Sequence, residues 1–114
     1  MRISDLGKLE GFVCLQGEYE DAELSAGYTS DLLSDVMANA GEGSVLITIQ
    51  AHKNTIAVAS LTGIVAIVFG NNRSVGDDVL AAAEREGIAV FRTAANQFES
   101  SATIAQHLGG HPAR

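Results

Sequence analysis

Tryptophan is absent, proline occurs once, at Pro112, and aromatic residues make up 5% of the chain. A core with so few rings must be filled by Ile, Val, Leu and Ala, and an apolar share of 46% is enough to fill one. Cys14 is the single cysteine, so no intrachain disulfide framework is possible, and a reducing, cytoplasmic setting is expected. The thiol falls within an apolar run and is expected to be a buried core group rather than a nucleophile. Long apolar runs are also missing. The best, around residues 56 to 69, is broken by Gly63 and falls short of the ~20 residues that cross a bilayer. The opening Met-Arg-Ile-Ser-Asp-Leu-Gly has no signal-peptide apolar stretch. Positive charge is scarce. Seven Lys and Arg face fourteen Asp and Glu, for a net charge of −7. Nucleic-acid binding needs a basic patch to neutralise phosphates, so it is excluded as a function class, as is membrane insertion.

The familiar catalytic signatures are missing as well. The sole Gly-Lys pair, Gly7-Lys8, is followed by Leu9, so there is no phosphate loop. No Gly-x-Gly-x-x-Gly follows a strand, and no Gly-x-Ser-x-Gly elbow occurs. His107 and His111 stand four apart, but two glycines between them break the helix that would align them. His52 has no His, Cys or carboxylate at ligand spacing. Neither a metal site nor a cofactor is expected. The acidic run Glu18, Glu20, Asp21 and Glu23 lacks the glycine turn of a calcium loop and reads as a solvated loop.

The pattern that is present centres on residues 44 to 72. Val45–Ile49 and Ile64–Phe69 are short, β-branched runs without polar alternation, the mark of strands covered on both faces of a parallel sheet. Between them lies a helical segment from about Asn54 to Thr62, closed by Gly63 as a C′ residue. Phe12–Leu15 and Ile88–Phe91 read as further strands. The terminus at Ile3 and Leu6 reads as one helical turn. A helix capped by Ser30, with Asp31 at its first position, would carry the stripe Leu32, Leu33, Val36, Met37 and Ala40. Ser74 to Asp77 reads as a capping box opening a third helix that buries Val75, Val79, Leu80 and Ala83 and ends at Gly87. Asn96 with Glu99 opens a last helix with the stripe Phe98, Ala102, Ala105 and Leu108. The whole predicts a single α/β domain over residues 1–110, with a mainly parallel sheet of four to five strands, helices on both faces and a frayed tail at 111–114. The helix around Ile56–Leu61 is apolar on most of its surface, which predicts a homo-oligomer, a dimer, covering it.

Ligands of open parallel sheets bind beyond the carboxyl ends of the strands. Polar residues gather there: Gln50, His52 and Asn54 after one strand, Gly70, Asn71, Asn72 and Arg73 after the next, and Thr93, Asn96 and Gln97 after the last. Asp31 opens the first long helix at the same edge. Asp31, His52, Asn54, Asn71, Arg73 and Asn96 are therefore the candidate ligand-binding residues, a cradle for a small anion or nucleotide. The competing reading makes them ordinary turn and cap residues.

Residues 27–40, Gly-Tyr-Thr-Ser-Asp-Leu-Leu-Ser-Asp-Val-Met-Ala-Asn-Ala, and residues 46–59, Leu-Ile-Thr-Ile-Gln-Ala-His-Lys-Asn-Thr-Ile-Ala-Val-Ala, resemble the DRTGG domain family, as do residues 90–102. The nearest likeness is to its small stand-alone members, similar to the N-terminal domain of HPr kinase/phosphorylase. The namesake Asp-Arg-Thr-Gly-Gly is absent from this chain. The resemblance implies an α/β regulatory domain, since related domains accompany phosphotransacetylases and CBS pairs. It also implies a possible partner enzyme, because stand-alone members occur beside iron-only hydrogenases and other redox proteins. The leading expectation is a non-catalytic, ligand-sensing domain. The alternative is a protein-interaction module serving a redox or acetyl-phosphate-metabolising enzyme. The least favoured is a small enzyme using His52 as acid or base.

Overall fold

The computed structural model describes residues 1–108. The tail at 111–114 and the last residues assigned to the domain lie outside them. A 3-10 helix, Ile3–Lys8, leads into β1, Phe12–Gln16. Then come β2 (Gly27–Thr29), α1 (Leu33–Asn39), β3 (Val45–Thr48), α2 (Lys53–Thr62), β4 (Ala66–Phe69), α3 (Asp77–Glu86), β5 (Ala89–Thr93) and α4 (Gln97–His107). The five strands form one sheet in the order β1-β5-β4-β3-β2. Strands β2 to β5 are parallel, and β1 closes the β5 edge antiparallel. Single α/β architecture with a mostly parallel sheet is therefore as expected.

The apolar runs explain the layering. Every residue of β3 and β4 is buried. Alternation along the strands sends Leu46, Ile67, Phe69 and Val90 to one face, where they meet Val36 of α1, Ile56, Val58 and Ala59 of α2, and Val79 and Ala83 of α3. Val45, Ile47, Ala66, Val68, Ala89 and Phe91 go to the other, against Ile3 and Leu6 and Ile104 of α4. Three successive crossovers progress in one direction across the sheet. Crossovers of constant hand must then place all three helices on one face. Only α4 leaves β5 for the opposite face.

Several local expectations are corrected. Strand β2 is too short, at three residues, for a periodic signal. It takes up chain expected to lead straight into a helix, so α1 starts at Leu33, with Leu32 as an N-cap lacking a side-chain bond. Ser30 and Asp31 precede the helix, and Leu32 is exposed. Tyr28 of β2 instead anchors α1 by donating to both oxygens of Asp35 at 2.9 Å, and this carboxylate pushes the phenol's pKa up. The α3 N-cap is Gly76, not Ser74, again without a side-chain bond. The expected α4 stripe is turned outward except at Leu108, which packs against the core. Ser100 and Ile104 are buried, whereas Phe98 is 83% exposed and Ala102 and Ala105 face solvent. Bonds from Gln97 and Ser101 to the β2 side of the sheet set that rotation. Cys14 is exposed on the outer edge strand rather than buried, and partial desolvation of its sulfur still pushes the thiol pKa up. Ile56 and Val58 are buried inside this chain, so neither awaits a partner.

The acidic loop is partly structural. Asp21 accepts from the Ser4 hydroxyl at 2.6 Å, the Ser4 amide at 3.0 Å and Arg2 Nε at 3.2 Å, tying the first helical turn down. The Ser4 hydroxyl, more than Arg2, holds the carboxyl well below the usual range, at about 2. No described helix is long and apolar enough to cross a membrane.

Candidate functional site

Three of the four parallel strands end in threonine: Thr29, Thr48 and Thr93. Their hydroxyls bond within the turn that follows, to a neighbouring element, or, at Thr48, to both. Thr48 Oγ1 donates to Asp31 Oδ1 at 2.8 Å and accepts from the Gln50 amide at 3.2 Å. Thr93 Oγ1 accepts from the Ala95 amide at 3.2 Å, and the Thr29 and Ser101 hydroxyls lie 2.6 Å apart. Of the three, Thr93 stands out in sequence among the polar residues after the last strand, whereas Thr29 passes as the approach to a helix and Thr48 as part of an apolar run. A hydroxyl closing successive strands was the signal to read.

Asp31 is the junction of this edge. Besides Thr48, its Oδ1 accepts from the Ile49 amide at 2.9 Å and from Gln97 Nε2 at 3.0 Å. One oxygen therefore joins the connection after β2, the end of β3 and the first turn of α4.

The turn after β4 is held just as firmly. Gly70 donates to the Thr48 carbonyl, Asn71 to the Ala95 carbonyl and Asn72 to the Thr93 carbonyl, at 3.0, 2.9 and 2.8 Å. Asn71 and Asn72 sit in the left-handed region, at φ 56° and 51°. Asparagine tolerates this region better than most residues, which accounts for the pair. Gly70 is buried, and a Cβ there would stand 3.2 Å from the Ala95 carbonyl oxygen. The result is a rigid turn presenting three exposed side chains, Asn71, Asn72 and Arg73. Among the described residues the Arg73 guanidinium makes no ion pair.

The other candidates are caps. His52 is the N-cap of α2, its Nδ1 accepting from the Asn54 amide at 3.0 Å. That bond places the neutral ring's proton on Nε2. Asn54 is exposed in the first turn of α2. Asn96 caps α4 in a reciprocal box, accepting from the Glu99 amide at 2.8 Å while Glu99 accepts from the Asn96 amide at 3.1 Å. The α4 N-terminus thus already holds its own carboxylate. Of the six residues, Asp31 is joined to Thr48 and Gln97, and Asn71 is joined through its backbone to the loop leading to Asn96. Backbone bonds run from His52 through Gln50, Thr48 and Gly70 to Arg73, but among the described residues no hydrogen bond joins the His52 ring to the Arg73 side chain.

As a chemical site, the edge supplies the Arg73 guanidinium, exposed amides and an imidazole Nε2. No group of His, Cys, Asp and Glu among the described residues is placed to hold a metal. Among the grooves formed by the described residues, two lie elsewhere. One, of about 330 Å³, runs between α2 and α3. The other, of about 290 Å³, lies where the 3-10 helix meets the end of α4. None of the six residues lines either.

No protein-family model and no curated protein matches the chain. Among solved structures, it is similar to the CBS and DRTGG domains of the regulatory region of a pyrophosphatase from Clostridium perfringens, in complex with an activator, diadenosine tetraphosphate. The TM-score is 0.72 at 11% identity, over 91% of this chain and 46% of that one. The chain thus spans under half of that structure. The likeness establishes a DRTGG-like α/β fold, in line with the resemblance seen in the sequence.

Proposed function

We propose that this is a non-catalytic regulatory domain that senses a small anionic ligand, a nucleotide among the candidates, at the carboxyl edge of the sheet. The observation that carries the reading is Arg73. Its guanidinium projects from a turn fixed by three backbone bonds, at the place where the chain leaves β4 for one face and β5 for the other. Crevices between such diverging connections are the usual ligand positions of parallel sheets. Asn71, Asn72 and His52 are the neutral donors and acceptors proposed around it. The structurally similar pyrophosphatase region is regulatory and was captured with a nucleotide activator, which supports the ligand class. The acid–base reading of His52 has less behind it, because Nδ1 is committed to the α2 cap.

The test is a thermal-shift screen of the protein with adenine and guanine nucleotides, diadenosine polyphosphates, cyclic dinucleotides, nicotinamide cofactors, acetyl phosphate and acetyl-CoA. A ligand at 100 times its Kd stabilises by about 2.7 kcal/mol and raises Tm by several degrees. The expected hit is lost in Arg73→Ala and kept in Arg73→Lys at reduced affinity. A silent screen on folded protein, or a hit indifferent to Arg73, overturns the proposal.

A further inference from the structure

The outer surface of α2 and α3 does not suit a helix pair facing only water. Lys53, Asn54, Ala57, Ser60 and Leu61 are the exposed residues of α2, and Leu61 is 78% exposed. With Ala82, the small side chains of Ala57 and Ser60 give the groove of about 330 Å³ a shallow, largely apolar floor, with Ile56 at its base and Leu61 as a ridge. Lys53 and Arg85 rim it, and among the described residues neither forms an ion pair. Glu86, the one acid in the lining, accepts from the Ser60 hydroxyl. A cationic excess around an apolar trough is unusual on a chain of net charge −7.

We infer that this groove docks an acidic amphipathic helix of a partner protein. The openness of the trough decides against a small molecule, which needs most of its surface enclosed, whereas Leu61 projects into solvent. Helix-in-groove recognition requires an apolar stripe on the ligand and matching charge at its margins. The spacing of the rim predicts the motif. The bond between Ser60 and Glu86 places Arg85 beside the last turn of α2, about two helical turns or 11 Å along from Lys53. Carboxylates seven or eight residues apart, with Leu-like side chains between them on the same face, satisfy both cations. A sensing edge and a docking groove then share α2, whose first turn lies at one and whose outer face lines the other.

The experiment uses two synthetic amphipathic helices with the same Leu face, one flanked by Glu and one by Lys, titrated into isotope-labelled protein. Amide shifts are expected to cluster at residues 53–61 and 82–86. The Glu peptide is expected to bind about tenfold more tightly than the Lys peptide at low salt, from two rim charges. The double variant K53E/R85E reverses that preference, and Leu61→Glu abolishes binding of the Glu peptide. All three positions are on the surface, and circular dichroism checks that the fold persists. Equal affinity for both peptides, or shifts centred elsewhere, overturns the inference. Self-association of the protein alone that Leu61→Glu abolishes also overturns it, assigning the groove to a second copy. A silent ligand screen leaves this test untouched, so the two proposals fail separately.

Discussion

Gln97 Nε2 donates to Asp31 Oδ1 across 3.0 Å, joining the first turn of α4 to the connection between β2 and α1. The same oxygen holds Thr48 and Ile49, so removing the carboxylate strands three donors at once. Asp31→Ala is expected to cost about 2–3 kcal/mol, since bonds to a charged acceptor are among the stronger ones. Calorimetry should show Tm falling by about 10 °C for a domain this size. Asp31→Asn keeps an oxygen acceptor and loses less. Equal Tm for wild type and Asp31→Ala would refute this role.

Asn71 separates a conformational role from a binding one. At φ 56° a residue with an ordinary side chain is strained. Asn71→Ala is expected to lose about 1 kcal/mol in chemical denaturation, whereas Asn71→Gly stays near wild type. If Asn71 also contacts ligand, the Gly variant keeps stability and loses the thermal shift.

His52 is predicted to be replaceable as a cap. His52→Ala costs about 1 kcal/mol, and His52→Asn or His52→Asp recovers most of it, because each restores an acceptor for the Asn54 amide. An essential proton-transfer group would not be rescued this way in any activity assay.

Phe98 and Phe91 should differ sharply. Phe98→Ser alters stability by less than about 0.5 kcal/mol, while Phe91→Ala, in the buried face of β5, loses about 3–5 kcal/mol. Urea midpoints of the two variants test the rotation of α4 directly.

Acid should loosen the N-terminal turn before the sheet. The Asp21 carboxyl is depressed from 3.8 to about 2 in the fold. A depressed carboxylate contributes stability that is present above the unfolded value and lost as pH falls through the folded one. Between pH 3.8 and about 2, amide exchange at Ser4 should rise. Asp21→Asn should lower the protection of the Ser4 amide, relative to its intrinsic exchange rate, already at neutral pH, and weaken its further loss in acid, the remainder coming from Asp5.

The same contrasts show what sequence carries. Val45–Ile49 and Ile64–Phe69 announced buried parallel strands because burial on both faces demands uninterrupted apolar residues. Asn96 and Glu99 announced α4 because a capping box is a local bond. Leu32 and Phe98 misled because their exposure depends on the angle at which a helix is fastened, and the fasteners, Asp31 to Gln97 and Thr29 to Ser101, join residues distant in sequence. Strand β2 has only three residues, and its burial alternates weakly, so no period could develop. The polar edge was found by position alone. Which of its members cap helices and which stay free, as Arg73 does, depended on hydrogen bonds that composition does not encode.

The antiparallel placement of β1 sets an order of events in time. Strands β2 to β5 are laid side by side in the sequence in which they are made, so each can join the last as it appears. β1 comes first in the chain yet finds its partner in β5, and Gln16 Nε2 reaches the Ile88 carbonyl 72 positions away. Until that late strand exists, Phe12 and the turn holding Ile3 and Leu6 have no surface to settle on. The segment that starts the chain thus waits on one of its last strands, and a chain stopped short of Ile88 leaves it without a partner.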